Sequence, residues 1–358
     1  MKFAIEGEFN DIHPYMDYLF LLSQDYELRV VDWASWVARI ADELNDWDLA
    51  SFVSAALSDN RKLSTTKGAD RVRETRNLGR VPEDLVLYRA PLGVHSCADW
   101  VIYNRTLYYA TSNGVWMLPL LINGTFDGTL EPRKLIEPRS FQLRAKFGLI
   151  TAACGVEGLA ASGTYVWDFQ ELPHVEGRTV NNVPADRIGW MQHNVIGISE
   201  DSASLLYNSL ADADFGSGYT PQSERQAVSQ FGFQLRSSRD LFAEPTHFVR
   251  GFASNQRLYG WAGNRVKIMA FDAPALTGRL GVVKEFELPV TSIYEGTSFQ
   301  SGLTFDTDQG TYFTSALHIQ PTLISRGENV IVRTFTQSKQ YNLQVWSVKE
   351  DHLEIEAF

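Results

Sequence analysis

The sequence predicts an all-β fold in which one small antiparallel sheet is repeated along the chain. The clearest unit is Leu107–Pro119, LYYATSNGVWMLP, where apolar and aromatic residues flank a Ser112-Asn113-Gly114 turn. Asn and Gly tolerate the positive φ of tight turns, and aromatic and β-branched residues favour strands. The same strand–turn–strand pattern recurs about seven times. Apart from two longer gaps, its spacing scatters around the ~40–50 residues typical of a four-stranded repeat.

The N-terminal part begins with β patterns and then changes to a helical one. Lys2–Phe9 alternates like a strand, and Tyr18–Trp33 reads as a hairpin. Ser35–Ser58 has apolar residues at helical spacing, and Asn45-Asp46 divides it into two predicted helices. Ser35 and Asp46 are the expected N-caps, because Ser and Asp side chains accept hydrogen bonds from the first free backbone amides.

A basic segment, Asp59–Arg80, follows the predicted helices and has few apolar residues, so it is expected to be a mobile loop. Its seven basic residues are Arg61, Lys62, Lys67, Arg71, Arg73, Arg76 and Arg80, against three acidic residues. We expect residues 35–80 to form a helical and basic insertion. A second insertion is expected at 211–245, which starts with an exposed loop by composition.

Further hairpins are predicted along the rest of the chain, each marked by a polar or glycine-containing turn. They span Leu159–Phe169 (turn at Ser162-Gly163), Val195–Leu210, Arg257–Asp272, Gly302–Ala316 and Val330–Val348. His352–Phe358 is a last alternating strand.

This pattern resembles a β-propeller of about seven blades, similar to the WD40 type. Val166-Trp167-Asp168 carries the Trp-Asp dipeptide, and Val345-Trp346-Ser347 and Val115-Trp116-Met117 keep its apolar-Trp part. The Gly-His dipeptide that opens a WD40 blade is absent. The resemblance implies one propeller domain over residues 1–358, closed by pairing of Lys2–Phe9 with His352–Phe358. The alternative is two β-sandwich domains divided near Ala211–Pro245.

Composition and charge restrict the class of partner. The formal charge is −11, which argues against a nucleic-acid binder. The sequence contains no run of about 18 apolar residues, which is the length that would indicate a membrane span. The two cysteines, Cys97 and Cys154, have no zinc-site spacing and fit a reducing compartment. We therefore expect a cytoplasmic protein without membrane attachment.

Local motifs for chemistry are weak. GxGxxG, GxxxxGK[ST], HExxH and GxSxG do not occur. Asp11, His13 and Asp17 suggest a metal site, but a polar loop that turns at Pro14 is favoured. For Cys97, a structural role is favoured over a nucleophile served by His95.

Two acidic turns resemble fragments of a calcium loop. Asp306, Asp308 and Gln309 precede Gly310, and Asp212 and Asp214 precede Gly216. Both lack the acidic ligand that closes an EF-hand loop. An ordinary turn is the favoured interpretation of each, and no cofactor is expected.

We therefore expect a non-enzymatic scaffold or regulatory protein that binds a partner protein through the propeller face and its insertions. The residues expected to bind are Trp36, Trp47, Phe52, Arg61, Lys62, Lys67, Arg71, Arg73 and Arg76. The alternatives are a propeller hydrolase or lyase with a central metal or carboxylate site, and a carbohydrate-binding propeller, for which the nine Trp and 14 Tyr are the motivation. For the helical stretch Trp36–Leu57 taken by itself, packing on the propeller edge is the favoured role, and a partner-binding face is the alternative.

Overall fold

The computed structural model describes residues 1–65, 75–120, 131–146, 148–163, 178–191, 194–208, 233–236, 238–254, 256–273, 278–315, 320–336 and 338–358. The N-terminal part contains β1 (Lys2–Glu6), β2 (Asp11–Tyr15), β3 (Tyr18–Leu22), β4 (Glu27–Asp32), α1 (Trp33–Asp42), α2 (Trp47–Ser58), a 3₁₀ helix (Asn60–Thr65), β5 (Arg76–Arg80), a second 3₁₀ helix (Glu83–Leu85) and β6 (Val86–Pro91).

The middle part contains β7 (Asp99–Tyr103), β8 (Thr106–Thr111), β9 (Gly114–Pro119), β10 (Arg133–Ile136), β11 (Gln142–Lys146), β12 (Leu149–Ala153), β13 (Leu159–Gly163), β14 (Arg178–Asn181), β15 (Arg187–Met191), β16 (Asn194–Ser199), β17 (Ser202–Asn208), β18 (Phe233–Arg236), α3 (Ser238–Leu241), β19 (Arg250–Ser254), β20 (Arg257–Ala262), β21 (Arg265–Phe271) and β22 (Leu280–Glu287). The C-terminal part contains β23 (Ile293–Phe299), β24 (Gly302–Thr307), β25 (Gly310–Ser315), β26 (Thr322–Arg326), β27 (Ile331–Thr334), β28 (Gln344–Val348) and β29 (His352–Ala357).

Within the described residues, these strands form seven sheets, and the fold is a seven-bladed β-propeller. Six sheets have four strands, in the orders β2-β3-β4-β6, β7 to β10, β11 to β14, β15 to β18, β19 to β22 and β23 to β26. The seventh has the order β27-β28-β29-β1-β5. The predicted fold class and blade number are confirmed, and the two-sandwich alternative is wrong.

The chain divides into two compact units, Met1–His95 with Pro289–Phe358, and Ser96–Leu288. In the first unit, β1 pairs antiparallel with β29, from Lys2 opposite Glu356 to Glu6 opposite His352. The chain's two ends therefore share one sheet, as the alternating end strands predict. None of the described helices combines the length and apolarity that a membrane span requires.

The hairpin turns follow the sequence closely. β8 and β9 are joined by the two residues between Thr111 and Gly114, and the Thr111 hydroxyl donates to the Gly114 carbonyl (3.0 Å). Thr307 and Gly310 repeat this arrangement between β24 and β25 (2.7 Å). Gly114 has φ +111°, and a Cβ there would lie 2.1 Å from the Ile136 carbonyl oxygen. Only glycine therefore fits this position.

The two predicted insertions have different limits in the structure. The first lies between β4 and β6 of one sheet and is not a loop throughout, because Arg76–Arg80 is β5, paired in parallel with β1. The predicted second insertion includes Phe233–Arg236, which is the fourth strand of its sheet, paired with β17. The predicted turn at Ser162-Gly163 is also wrong, since both residues belong to β13 and pair with β12.

The helices are capped by aspartates. Asp46 is the N-cap of α2, as predicted, and its carboxylate accepts from the Asp48 and Leu49 amides. The N-cap of α1 is Asp32 rather than Ser35, because the Asp32 carboxylate accepts both the Ser35 amide (2.9 Å) and the Ser35 hydroxyl (2.7 Å). Helix α1 therefore begins directly at the end of β4, without a loop.

In the first unit, the main core joins the helices to the seventh sheet. Its members include Trp33, Trp36 and Leu57 from the helical segment, packed with Ile355 and Trp346 from β29 and β28. The Trp33 and Trp346 rings are both fully buried, with centroids 6.0 Å apart. Truncating a side chain of this size in a core costs about 3–5 kcal/mol. The two helices are therefore part of the folded core.

Candidate functional site

A buried polar clamp fixes the end of α2 against β28. The Gln344 side chain is fully buried, and its amide Nε2 donates to the Ala56 carbonyl (2.5 Å) and the Leu57 carbonyl (3.3 Å). Its Oε1 accepts from the Trp346 indole N–H (2.7 Å). The Trp33 indole also donates to the Leu57 carbonyl (3.0 Å). These bonds satisfy carbonyls that the last turn of a helix leaves free.

Beside this clamp, a half-open cleft of about 880 Å³ lies within the first unit. Its walls come from α2, the 3₁₀ helix after it, the loop between β27 and β28, and the adjoining ends of β1 and β29. The apolar lining residues are Met1, Phe52, Leu63, Leu343, Ala357 and Phe358, and the polar ones are Asn60, Arg61, Gln300, Lys339, Asn342 and Glu356. This volume is in the range of clefts that bind ligands, ~300–1,000 Å³.

Backbone hydrogen bonds hold the walls in place. The Asn60 amide donates to the Gln340 carbonyl (2.9 Å), and the Gln300 amide donates to the Asn342 carbonyl (3.1 Å). The Phe358 amide donates to the Leu343 carbonyl (3.0 Å). The loop between β27 and β28 is therefore bonded on three sides, and the cleft is preformed.

Asn60 carries a buried side-chain donor at the wall of this cleft. Its side chain is 3% exposed, and its Oδ1 lies 3.5 Å from the Gln344 Nε2. Within the described residues, its Nδ2 has no hydrogen-bond partner. A buried donor without a partner costs about 1–3 kcal/mol, and because this nitrogen has almost no accessible surface, it is not open to a ligand in the cleft.

The charged residues of the cleft differ in whether they have an oppositely charged partner. Arg61 is bound to Asp59 by two hydrogen bonds, Nε–Oδ1 at 2.7 Å and Nη2–Oδ2 at 2.6 Å, and they lower the pKa of the Asp59 carboxyl. Burial raises the pKa of Glu356, whose Oε2 lies 3.9 Å from the Lys2 ammonium. Lys339 is exposed and forms no ion pair with any other described residue. The lining therefore carries charges of both signs, the exposed Lys339 ammonium and the Glu356 carboxyl, whose buried Oε2 has no hydrogen-bond partner among the described residues.

The structure distributes the residues expected to bind a partner among different environments. Trp36 is 2% exposed in the core, so its expected place on a partner-binding face is wrong, because its apolar face packs inward on the propeller. Phe52 lines the cleft, and Trp47, at the start of α2, is 80% exposed.

The basic residues expected to bind a partner also lie at different places in the structure. Arg61 lines the cleft, Lys62 is exposed on the same 3₁₀ helix, and Arg76 is half-buried in β5. Lys67, Arg71 and Arg73 lie outside the described residues. The sequence reasoning missed Asn60, Lys339 and Gln344. Only Gln344 gave a signal, as a polar residue within an otherwise strand-forming run.

The weaker chemical candidates have structural roles. Asp11–Tyr15 is strand β2 rather than the favoured loop, and the Asp11 carboxylate is paired with the Arg333 guanidinium of β27. Cys97 Sγ lies 3.5 Å from the Asp99 carbonyl oxygen. Asp308 lies in the two-residue turn between Thr307 and Gly310, as the ordinary-turn interpretation predicts, and Asp306 lies in β24 opposite Thr311. Asp212 and Asp214 lie outside the described residues. Among the described residues, no cluster of three or more His, Cys, Asp or Glu side chains has the arrangement of a metal site.

Comparisons with known proteins match the fold but not the sequence. No protein-family model and no curated protein matches this chain. The WD40 β-propeller domain of Doa1 is similar with a TM-score of 0.53 and 7% identity, over 98% of this chain and 94% of that one. The β-propeller domain of Myceliophteria thermophila Cps50 (Swd1) gives a TM-score of 0.54 and 9% identity, over 100% of both chains.

A computationally designed protein, Ika8, is also similar, with a TM-score of 0.50 and 8% identity over 99% of both chains. At such identities the similarity shows the fold alone. The chain therefore has a β-propeller fold similar to that of WD40 domains, and its function has to be argued from its own surface.

Proposed function

We propose that this protein is a non-enzymatic scaffold or regulatory module that binds a partner protein beside its helical insertion. The observation that carries the proposal is Trp47, which is 80% exposed at the start of the helix whose Phe52 lines the cleft. Large apolar side chains are exposed in this way at binding surfaces, and Trp is enriched among the residues that dominate binding energy. A preformed cleft adjoining such an anchor suits a protein ligand.

Trp47 and Phe52 are five residue steps apart on α2, which corresponds to about 7.5 Å of helix rise and about 140° around the helix axis. A partner that contacts both residues would therefore have to cover the cleft and the adjoining side of the first turn of α2. The helix itself is held by its Asp46 cap and by the Gln344 clamp, so little conformational entropy is lost on binding. This rigidity supports a role as a docking surface.

Affinity capture from the native cell tests the proposal, with wild type, Trp47→Ser and Val330→Ser as baits. Val330 is 53% exposed in the same unit and is not among the cleft residues, so it is the matched apolar control. We expect wild type and Val330→Ser to retain a stoichiometric protein, and Trp47→Ser to bind it at least tenfold more weakly. Equal capture by all three baits, or nucleic acid as the bound component, would contradict the proposal. Deleting Asp59–Arg80 would not be a clean test, because that segment contains the 3₁₀ helix and β5.

A further inference from the structure

The seam between the sheet of β23 to β26 and the seventh sheet is less apolar than its counterparts. Within each unit, the other seams between neighbouring sheets are filled by apolar clusters, as Leu149, Trp190 and their neighbours fill the one between β12 and β15. Among the described residues, the cluster at this seam has three buried apolar members, Phe299, Ile324 and Val345. Since the stabilisation from apolar contact grows with the area buried, less of it holds these two sheets together.

Aromatic rings occupy one end of the seam. The ring centroids of Phe299, Phe313 and Phe358 lie 4.9, 5.1 and 5.6 Å from one another. Phe299 is the last residue of β23, and Phe358 directly follows β29. This end is therefore an apolar anchor between the two sheets.

The opposite end of the seam is a polar latch. Its side chains are Thr311, Ser325, Ser347, Lys349 and Glu354. The Ser325 hydroxyl donates to the Glu354 carboxylate (2.6 Å). The Lys349 ammonium donates to two backbone carbonyls where β26 ends (2.9 and 3.1 Å), and the Thr311 and Ser347 hydroxyls lie 3.4 Å apart. Because water replaces such hydrogen bonds when the sheets part, the net stabilisation from each is small.

Asp306 lies at the latch end of β24, beside the linker that joins the two sheets. It is 8% exposed, and its carboxylate accepts from the side chain of Asn329 in that linker, which also donates to Thr311 (3.1 Å). Burial raises the pKa of Asp306 to about 6, although the Asn329 bond lowers it. Water that reaches the carboxyl would remove the burial that opposes its ionisation.

Among the described residues, two charged groups face this carboxyl from the elements packed around it. The Lys349 ammonium, from the turn between β28 and β29, lowers its pKa, and Glu295 on β23 raises it. Glu354 and Lys2 act in turn on Lys349, Glu354 favouring the charged ammonium and Lys2 opposing it. The carboxyl and the ammonium belong to different sheets, so the proton on Asp306 is linked to the contact between them.

We propose that the latch is a proton-controlled contact: the seventh sheet parts from β24 to β26 at this end, with the aromatic end as the pivot, when Asp306 loses its proton. Water then reaches the carboxylate and stabilises its charge. The closed seam holds the proton more tightly than the open one, so closure is fully favoured below pH ~4 and loses that advantage as the pH rises through ~6. This inference is independent of the proposed partner-binding surface.

Thiol labelling of the full chain with Cys97→Ser and Ser347→Cys tests the inference. Ser347 is 3% exposed in the latch, so the introduced thiol reacts only when the seam opens. Cys154, 4% exposed in an apolar cluster of the second unit, is the internal reference. The rate of each thiol with iodoacetamide is divided by its rate in the urea-unfolded chain at the same pH, which corrects for thiolate formation. Hydrogen exchange of the Gly327 amide, which donates to the Gln309 carbonyl (3.1 Å), reports the same opening in the unsubstituted chain.

Between pH 5 and pH 8 we expect the corrected rate of the introduced thiol to rise about tenfold, the ratio that linkage gives for a pKa of about 6 in the closed seam and 3.8 in the open one. Cys154 should change less than about twofold. Asp306→Asn should abolish the rise, and Glu328→Gln, which removes an exposed charge beside Asn329, should keep it. Lys349→Met should move the rise to higher pH, because it removes the cation that favours the ionised carboxyl.

No rise at the introduced thiol or at the Gly327 amide, an equal rise at Cys154, or a rise that persists in Asp306→Asn would overturn the inference. So would a midpoint that Lys349→Met leaves in place or lowers. Thermal melts at each pH identify any variant that has unfolded, and the Gly327 amide of the unsubstituted chain then decides. Capture that depends on Trp47 is unaffected by these results, so the proposed function is tested separately.

Discussion

Asp306 is a buried carboxyl whose ionisation is predicted to make stability depend on pH. It lies on β24, is 8% exposed, and accepts a hydrogen bond from the Asn329 side chain. Burial raises its pKa from 3.8 to about 6, the largest influence, while the Asn329 hydrogen bond and the Lys349 charge act in the opposite direction. Glu295 adds a smaller increase.

The sign follows from proton linkage. Because the folded state holds this proton more tightly than the unfolded state, the resulting stabilisation is complete below pH ~4 and is lost as the pH rises through ~6. A difference of about two pKa units between the states corresponds to about 3 kcal/mol, at about 1.4 kcal/mol per unit. For a chain of this length, with ~2.1 cal/mol/K of unfolding entropy per residue, this is about 4 °C in Tm.

The substitution Asp306→Asn removes the ionisation and retains an oxygen that accepts from Asn329. We expect the Tm of the variant relative to wild type to increase by about 4 °C between pH 4 and pH 8, measured by calorimetry at constant ionic strength. Glu328→Gln is the control for loss of one negative charge, because Glu328 is exposed next to Asn329. A Tm difference that is constant across this range, or that falls with pH, would refute the reasoning.

Three further changes test how the described residues hold the fold. Gln344→Leu should destabilise the protein by about 2–4 kcal/mol in urea unfolding, because it leaves the buried Trp346 N–H and the Ala56 carbonyl without their partner; a loss under 1 kcal/mol would contradict the clamp. Asp11→Asn should lower the free energy of unfolding by about 3–5 kcal/mol, because the buried Arg333 guanidinium then has no opposite charge. Replacing both partners by apolar residues should recover part of that loss. Gly114→Ala should cost more than about 2 kcal/mol by the same assay, because of the positive φ and because the added Cβ would clash with the Ile136 carbonyl oxygen; wild-type stability would show that the turn can relax.

The sequence predicted the repeating β architecture because each hairpin carries its own local signal. Alternation in His352–Ala357 and a glycine-containing turn before β9 are visible without any tertiary information. The α2 cap at Asp46 is equally local. By contrast, β5 has the sequence RNLGR and little strand propensity, so only its pairing with β1 makes it a strand.

The candidate site could be predicted only in part, for a similar reason. Trp47 and Phe52 were found because a run of apolar residues at helical spacing is visible in the sequence. Trp36 belongs to the same run, and the sequence alone does not show which face packs inward. Asn60 and Lys339 are 279 positions apart and line one cleft only because the last sheet contains both chain ends.

The most direct test of the account is hydrogen–deuterium exchange of this protein with and without the captured partner. The account predicts slower exchange, on binding, in residues 47–63 and 338–343, which border the cleft, and unchanged exchange in residues 326–330, from the end of β26 to the start of β27. Protection confined to other parts of the chain would contradict the claim that the insertion and its cleft form the partner-binding surface.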